Sequence, residues 1–180
     1  MNLLLGVTGG IAAYKACEIC SQSIKKGYNV NVIMTPNAKK FITPLTFEGL
    51  TGAPVIESTF SDAMGHIDLA KWCDIACVAP LTANTMAKLA VGICDDMVTT
   101  TLCAIPRQTP ILLCPAMNTQ MWNNPTTQRN IHWIKELHRY EFCHPISKRL
   151  ACGDIGIGAL AEIESIMRAI ENLLIKGKEK

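Results

Sequence analysis

The sequence has few charges and no long apolar run, and each absence excludes a class of protein. Only 18% of its 180 residues are charged, and the formal net charge is +2. Lysine and arginine are scattered apart from a lysine-rich C-terminal tail, so we do not expect nucleic-acid binding. No segment reaches the roughly 18 to 20 apolar residues of a membrane span, so we expect no membrane insertion. With 49% hydrophobic residues, the chain should have apolar surface left for subunit contacts, which predicts a homo-oligomer.

The chain also lacks the features of a secreted or metal-binding protein. Residues 1–7 run directly into a glycine turn, without the basic segment or cleavage site of a signal peptide. Nine cysteines are an odd count, and most lie in apolar runs, which is typical of free thiols in a reducing compartment. Cys17 and Cys20 have CxxC spacing, but no second pair lies at zinc spacing, so we predict core packing and no metal. We therefore expect a cytoplasmic protein.

Short apolar runs alternate with helical segments along the chain. Residues 2–7, 30–34, 75–79 and 111–114 are predicted strands. The predicted helices cover residues 11–26, a short segment opened by 35–37, 66–72, 84–90, 95–104, 125–137 and 163–175, while residues 41–60 are predicted to be irregular. Apolar strands that are each followed by a helix predict an α/β fold, with a parallel sheet covered by helices on both faces. We predict one domain over residues 1–180.

Polar or glycine-bearing turns directly follow the predicted strands. They are Thr8-Gly9-Gly10, Thr35, Pro80-Leu81-Thr82-Ala83-Asn84 and Pro115-Ala116-Met117-Asn118. Ligands of parallel sheets bind beyond the carboxyl ends of the strands, so these turns should surround one site. The glycine turn is neither GxGxxG nor a P-loop. The second strand ends in Thr35 rather than in the acidic residue of a NAD site, and a hydroxyl beside helix N–H groups suits a phosphate. These features favour an FMN pocket.

Residues 114–122 form an unusual loop, because it is apolar and contains one central amide. Met117, Met121 and Trp122 could simply cover the end of the sheet, which is the commoner role of such side chains. The same composition is typical of a pocket wall with one orienting polar group. A buried Asn118 amide needs partners, so it is either held by backbone or placed to receive a ligand.

Further residues are candidates for proton transfer. His66 lies at the start of a predicted helix, although a lone histidine is more often structural. Cys152 lies in a glycine-rich segment, residues 150–158, which could be a mobile flap that brings a thiol to the site or simply a surface loop. Asp95 and Asp96 are adjacent in a predicted helix and point apart, so we interpret them as charges at a helix N-terminus.

Together, these motifs resemble the homo-oligomeric flavin-containing cysteine decarboxylases. The resemblance covers about residues 2–162 and is carried by residues 6–15, 44–47, 64–67, 79–85, 115–122 and 150–154, in that order. It implies a Rossmann-like (flavodoxin-like) fold that forms trimers or dodecamers, with FMN at subunit interfaces. It also implies decarboxylation of N-(4′-phosphopantothenoyl)-cysteine to 4′-phosphopantetheine and carbon dioxide, a step of coenzyme A biosynthesis.

The resemblance assigns roles to individual residues. His66 would be the base of the oxidative step, Asn118 would bind the substrate carboxylate, and Cys152 would donate a proton in the reductive step. Met121 and Ala151 would contact the substrate. The implied FMN contacts are Gly9, Gly10, Ile11, Thr35, Leu81, Thr82, Ala83, Asn84 and Ala116.

The implied chemistry explains why a flavin is needed. Direct loss of carbon dioxide from a cysteine amide would leave a carbanion without delocalisation. Oxidation of the thiol to a thioaldehyde first allows the released electrons to spread onto sulfur as an enethiolate, and a flavin supplies that oxidation.

The chain departs from bacterial family members in two respects. Many of those are fused to a synthetase domain, whereas this sequence stops at Lys180, so we expect a separate phosphopantothenate-cysteine ligase as a partner. Ala159 stands where the fusions have an arginine. Any contact that this arginine makes to a phosphate in the fusions is therefore not expected in this chain.

Alternative functions within the same fold remain open from the sequence. A peptidyl-cysteine decarboxylase of lantibiotic maturation would share the chemistry, although residues 150–154 favour the small-molecule substrate. A flavin prenyltransferase should lack the combination of His66, Asn118 and Cys152. A catalytically silent flavin-binding regulatory subunit should lose one of those side chains or carry acidic tails, and this chain does neither.

Overall fold

The computed structural model describes residues 1–56, 58, 64–149, 153 and 155–178. Its central sheet has five parallel strands in the order β2-β1-β3-β4-β5, which is the flavodoxin-like order. These strands are β1 (Asn2–Val7), β2 (Asn29–Met34), β3 (Ile75–Leu81), β4 (Ile111–Pro115) and β5 (Glu141–Phe142). The predicted α/β fold is confirmed.

Helices connect the strands, and a separate hairpin follows the sheet. The α-helices are α1 (Ala16–Lys25), α2 (Pro44–Thr51), α3 (Gly65–Trp72), α4 (Ala83–Val91), α5 (Met97–Ala104), α6 (Thr119–Asn123), α7 (Pro125–Glu136) and α8 (Ile163–Lys178), with 3₁₀ helices at Ile11–Lys15 and Ala38–Lys40. Strands β6 (Ile146–Arg149) and β7 (Ile155–Ala159) pair antiparallel. Among the described residues, no helix has the length and apolarity that a membrane span requires.

The core lies on both faces of the sheet. Leu3 and Leu5 of β1 belong to one fully buried cluster, together with Ile19 of α1 and Ile166 of α8. Leu4 points to the opposite face and belongs to a second cluster, which contains residues of α3, α5 and α7. Successive strand residues point to opposite faces, so burial of both faces explains the continuous apolar runs.

The structure corrects the secondary-structure prediction in several places. The prediction that residues 41–60 are irregular was wrong, because α2 occupies Pro44–Thr51. Pro44 lies in the first turn of this helix, and Gly52 ends it with φ +69°, so both residues mark helix ends rather than a loop. Strands β5 to β7 and helix α6 were not predicted, and the predicted helix 11–26 divides into a 3₁₀ turn and α1. Residues 155–158 of the predicted flap belong to β7.

Candidate active site

A cavity of about 990 Å³ opens at the carboxyl ends of the central strands. All of the polar and glycine turns that follow the strands contribute to its wall, as predicted. Of the predicted site residues, those that line it are Gly9, Gly10, Ile11, Thr35, Thr82, Ala83, Asn84, Ala116, Asn118 and Met121.

Hydrogen bonds from one buried threonine hold two of these turns together. The Thr8 hydroxyl donates to the Pro80 carbonyl at 2.7 Å and accepts from the Thr82 N–H at 3.0 Å. Thr82 then caps α4, because its side chain accepts from the Thr85 N–H at 3.3 Å. The turn after β1 and the start of α4 therefore have a fixed relative position, which is what a rigid cofactor requires.

The lining fits FMN. At Gly9 an added Cβ would lie 2.5 Å from the Cβ of Asn37, so only glycine allows the first two turns to pack this closely. Thr35 is almost fully buried at the end of β2, where it provides a hydroxyl and no carboxylate. The short side chains of Ala83 and Ala116 leave room for a flat ring. Hydroxyls and helix-start N–H groups beside a flat apolar space suit a phosphate and an isoalloxazine ring.

Asn118 is both held by backbone and directed to the cavity. Its Oδ1 accepts from the Gln120 N–H at 2.8 Å, which makes it the N-cap of α6. Since the oxygen is used for capping, the NH₂ group is the part of the amide that can donate to a bound carboxylate. Trp122 is buried in the core, as expected of a side chain that covers the end of the sheet. Met121, in contrast, is 48% exposed and lines the cavity.

Several other predicted site residues lie elsewhere. His66 is in the first turn of α3, as predicted, but it is not part of the cavity wall formed by the described residues. Its Nδ1 is buried and has no hydrogen-bond partner among them. Leu81 is fully buried in β3, and its carbonyl accepts from the Ala116 N–H at 3.0 Å, so it supports the wall from behind. Ala151 and Cys152 lie outside the described residues.

Charged residues that the sequence reasoning did not assign to the site also line the cavity. They are Lys15, Lys88, Asp95, Asp96, Lys148 and Arg149. The last two directly precede the predicted flap, and that position was the available signal for them. Ala159 lines the cavity as well and contributes no charge.

Lys88, Asp95 and Asp96 form one ionic cluster in the cavity wall. Lys88 Nζ lies 2.6 Å from Asp95 Oδ1 and 3.0 Å from Asp96 Oδ2. Burial alone would lower the pKa of Lys88, but the hydrogen bonds to the two carboxylates outweigh it and raise that pKa above its ordinary value. Asp96 also caps α5 through a capping box with Thr99, which confirms its predicted place at a helix N-terminus.

The buried cysteines act as core residues. The Sγ atoms of Cys77 and Cys114 lie 3.8 Å apart on adjacent strands. Burial raises the pKa of Cys20 to about 11 and that of Cys114 well above its ordinary value, so these thiols stay protonated and unreactive. Within the part of the chain that the structure describes, no three side chains are arranged to hold a metal ion.

Comparison with known proteins gives consistent matches along the chain. Residues 1–175 match the family model described as Flavoprotein. A protein of Streptococcus mutans named "Probable phosphopantothenoylcysteine decarboxylase" is 46% identical over 177 residues, which cover 96% of this chain and 98% of that protein. The "Coenzyme A biosynthesis bifunctional protein CoaBC" of Bacillus subtilis is 45% identical over 94% of this chain, which spans only 42% of that longer protein.

Solved structures agree with these sequence matches. A cysteine-to-serine mutant of a PPC decarboxylase, complexed with pantothenoylaminoethenethiol, superimposes with a TM-score of 0.86 at 34% identity, over 94% of this chain and 96% of the other. The structure described as "The FMN binding protein AtHal3" gives a TM-score of 0.81, also at 34% identity, over 94% of each chain.

Proposed function

This chain belongs to the Flavoprotein family, and from that membership we propose that it is an FMN-dependent decarboxylase of coenzyme A biosynthesis. It converts N-(4′-phosphopantothenoyl)-cysteine to 4′-phosphopantetheine and carbon dioxide. The observation that carries the proposal is the cavity itself, in which a flavin-sized cradle of short side chains and the capping amide of Asn118 form parts of one wall. Sequence identity of 46% to a decarboxylase over almost its full length supports the same conclusion.

Residues of all four turns hold the cofactor. We assign this role to Gly9, Gly10, Ile11 and Thr35, to the turn from Leu81 to Asn84, and to Ala116. Leu81 is fully buried, and it supports the cofactor site indirectly, through the hydrogen bond that its carbonyl accepts from Ala116. When bound, FMN supplies the reversible two-electron oxidation of the substrate thiol, which no side chain can supply. The rigid link between Thr8, Pro80 and Thr82 keeps the cradle in shape before the cofactor binds.

Asn118 orients the substrate for loss of carbon dioxide. Its NH₂ group donates to the substrate carboxylate, while the backbone of α6 holds its oxygen. The donor is neutral, so no strong ion pair opposes departure of the carboxylate. We also assign substrate contacts to Met121, which lines the cavity, and to Ala151.

His66 removes the thiol proton, and it reaches the cavity from a second copy of the chain. Two observations support this arrangement: His66 is not in the wall of its own cavity among the described residues, and its Nδ1 has no partner there. Around the cavity, Ile11 and Tyr14 are 61% and 60% exposed, which is typical of a surface that another subunit covers. We therefore propose a trimer, or a dodecamer made of four trimers, with each site shared between neighbouring copies.

Cys152 returns a proton to the substrate carbon when the enethiol is reduced. We also propose that the whole of residues 1–180 forms one functional domain and that the enzyme acts in the cytoplasm. We further propose that its partner in the pathway is a phosphopantothenate-cysteine ligase, which makes its substrate.

A competition assay tests the choice of substrate. Purified protein is given phosphopantothenoylcysteine together with a peptide that ends in cysteine, and carbon dioxide release and both products are measured. We expect decarboxylation of the small molecule alone. Preferential decarboxylation of the peptide would overturn the proposal and favour the lantibiotic alternative.

A further inference from the structure

The β6–β7 hairpin is fixed against the loop that carries Asn118. The Met117 N–H donates to the Gly158 carbonyl at 2.9 Å. Helix α6, which Asn118 caps, packs against β7. Side chains of the hairpin therefore have a defined position relative to the amide that we assign to the substrate carboxylate.

Strand β6 contributes two positive charges to the cavity wall. Lys148 and Arg149 both line it. Lys148 Nζ lies 3.3 Å from Glu162 Oε1, and both side chains are about half exposed, so this carboxylate offsets part of the lysine charge. Arg149 takes part in no ion pair within the described ranges. Its guanidinium can therefore offer a planar set of donors to a ligand.

The other charged groups of the lining are less suited to receive an anion. On the side of α4 and α5, two carboxylates, Asp95 and Asp96, surround the single ammonium of Lys88. This side repels a phosphate. Lys15 lies at the end of the 3₁₀ helix that follows the glycine turn, on the side that we assign to FMN. The cations of β6 are therefore the ones placed for an anion other than the cofactor.

The proposed substrate carries an anion at each end. Its carboxylate is assigned to Asn118, and its terminal phosphate has a charge of about −1.5 to −2 at neutral pH. A phosphate in a largely apolar cavity needs a charged, multiple donor. We propose that Arg149, with Lys148 beside it, binds the terminal phosphate and thereby makes the enzyme select phosphorylated substrate. This inference rests on the proposed function and deepens it.

The test compares two substrates in four variants, and a fifth variant, Arg149→Lys, tests for rescue. Steady-state kcat/KM is measured for phosphopantothenoylcysteine and for the same molecule without its phosphate, in Arg149→Gln, Lys148→Gln, Lys15→Gln and Arg168→Gln. Arg168 lies exposed on α8, outside the cavity, and serves as the matched control. We expect Arg149→Gln to reduce the preference for the phosphorylated substrate by about 10- to 100-fold, mainly through KM, and Lys148→Gln to reduce it less. Arg149→Lys should restore part of the preference.

The outcomes separate this inference from the proposed function. An equal fall of kcat/KM on both substrates in Arg149→Gln would overturn the phosphate assignment, and so would a loss of preference in Lys15→Gln alone. Loss of bound FMN from Arg149→Gln would place the guanidinium on the cofactor and would also overturn it. In each of these cases decarboxylation by the wild-type protein would still support the proposed function, which fails only if neither substrate is decarboxylated.

Discussion

At the residue scale, Asn118 has two tasks that can be separated experimentally. Its oxygen caps α6, and we assign its NH₂ group to the substrate carboxylate. Asp is an equally good N-cap, so Asn118→Asp should preserve the helix and place a negative charge against the substrate carboxylate. We expect bound FMN and a melting temperature close to wild type, with no measurable substrate binding by calorimetry. Tight substrate binding by this variant would contradict the role of the amide.

The proton donated by Cys152 is tested by changing its sulfur to oxygen. A serine hydroxyl is a far weaker acid than a thiol, so Cys152→Ser should release carbon dioxide but fail to complete the reduction. We expect the enethiol to accumulate, detected by mass spectrometry and by a new absorbance band. Cys143→Ser, which changes another thiol outside the cavity lining, serves as the control and should form the normal product. Normal product at the wild-type rate from Cys152→Ser would remove this residue from the mechanism.

At the element scale, the close approach of β7 to the Asn118 loop depends on Gly158. A Cβ at this position would lie 2.2 Å from the Met117 carbonyl oxygen, and φ is +143°. Gly158→Ala should therefore shift the hairpin, reduce stability by about 1–3 kcal/mol and lower activity. Gly49→Ala is the matched control, because its Cβ meets nothing within 4 Å on helix α2, and it should gain about 0.5–1 kcal/mol. Thermal unfolding and turnover of both variants check this, and equal behaviour of the two would contradict it.

The elements that the sequence predicted are those with a strong local signal. Strands β1 to β4 are short and mainly apolar runs, as expected of strands buried on both faces, and this pattern identified them. Helix α2 was missed because Pro44, Gly49 and Gly52 are turn residues in most contexts, and only the tertiary structure shows that two of them mark the ends of a helix. Strand β5 has only two residues, and β6 and β7, which pair with each other, are mostly exposed or half-buried. Strands of this kind have no buried apolar run by which the sequence could identify them.

The sequence predicted some parts of the candidate site and missed others. Turns that directly follow strands could be placed at one edge, because strand direction alone determines that edge. For Lys148 and Arg149 the only signal was their position just before the predicted flap, because their place in the cavity wall depends on a hairpin that packs against α6. Three-dimensional information was also required to see that His66 is not part of the cavity wall formed by the described residues of its own chain.

At the scale of the whole molecule, a shared site predicts complementation between inactive variants. His66→Asn and Asn118→Asp should each be inactive alone. If one copy supplies His66 and its neighbour supplies Asn118, then random co-assembly of the two variants should restore about one quarter of the sites. Activity of co-expressed, differently tagged chains measures this, with two copies of His66→Asn as the control. A mixture as inactive as the control would place both residues on the same chain.

The most direct test of the whole account is the colour and turnover of the purified protein. We expect yellow protein that retains FMN through purification and releases carbon dioxide from phosphopantothenoylcysteine with no added nucleotide or metal. We expect FMN to be retained because Gly9, Thr35 and Ala116 form a site that suits a flat, phosphorylated ligand. We expect carbon dioxide to be released because a bound flavin can oxidise the substrate thiol. A colourless protein that cannot bind added FMN, or a yellow one that never releases carbon dioxide from this substrate, would contradict the account.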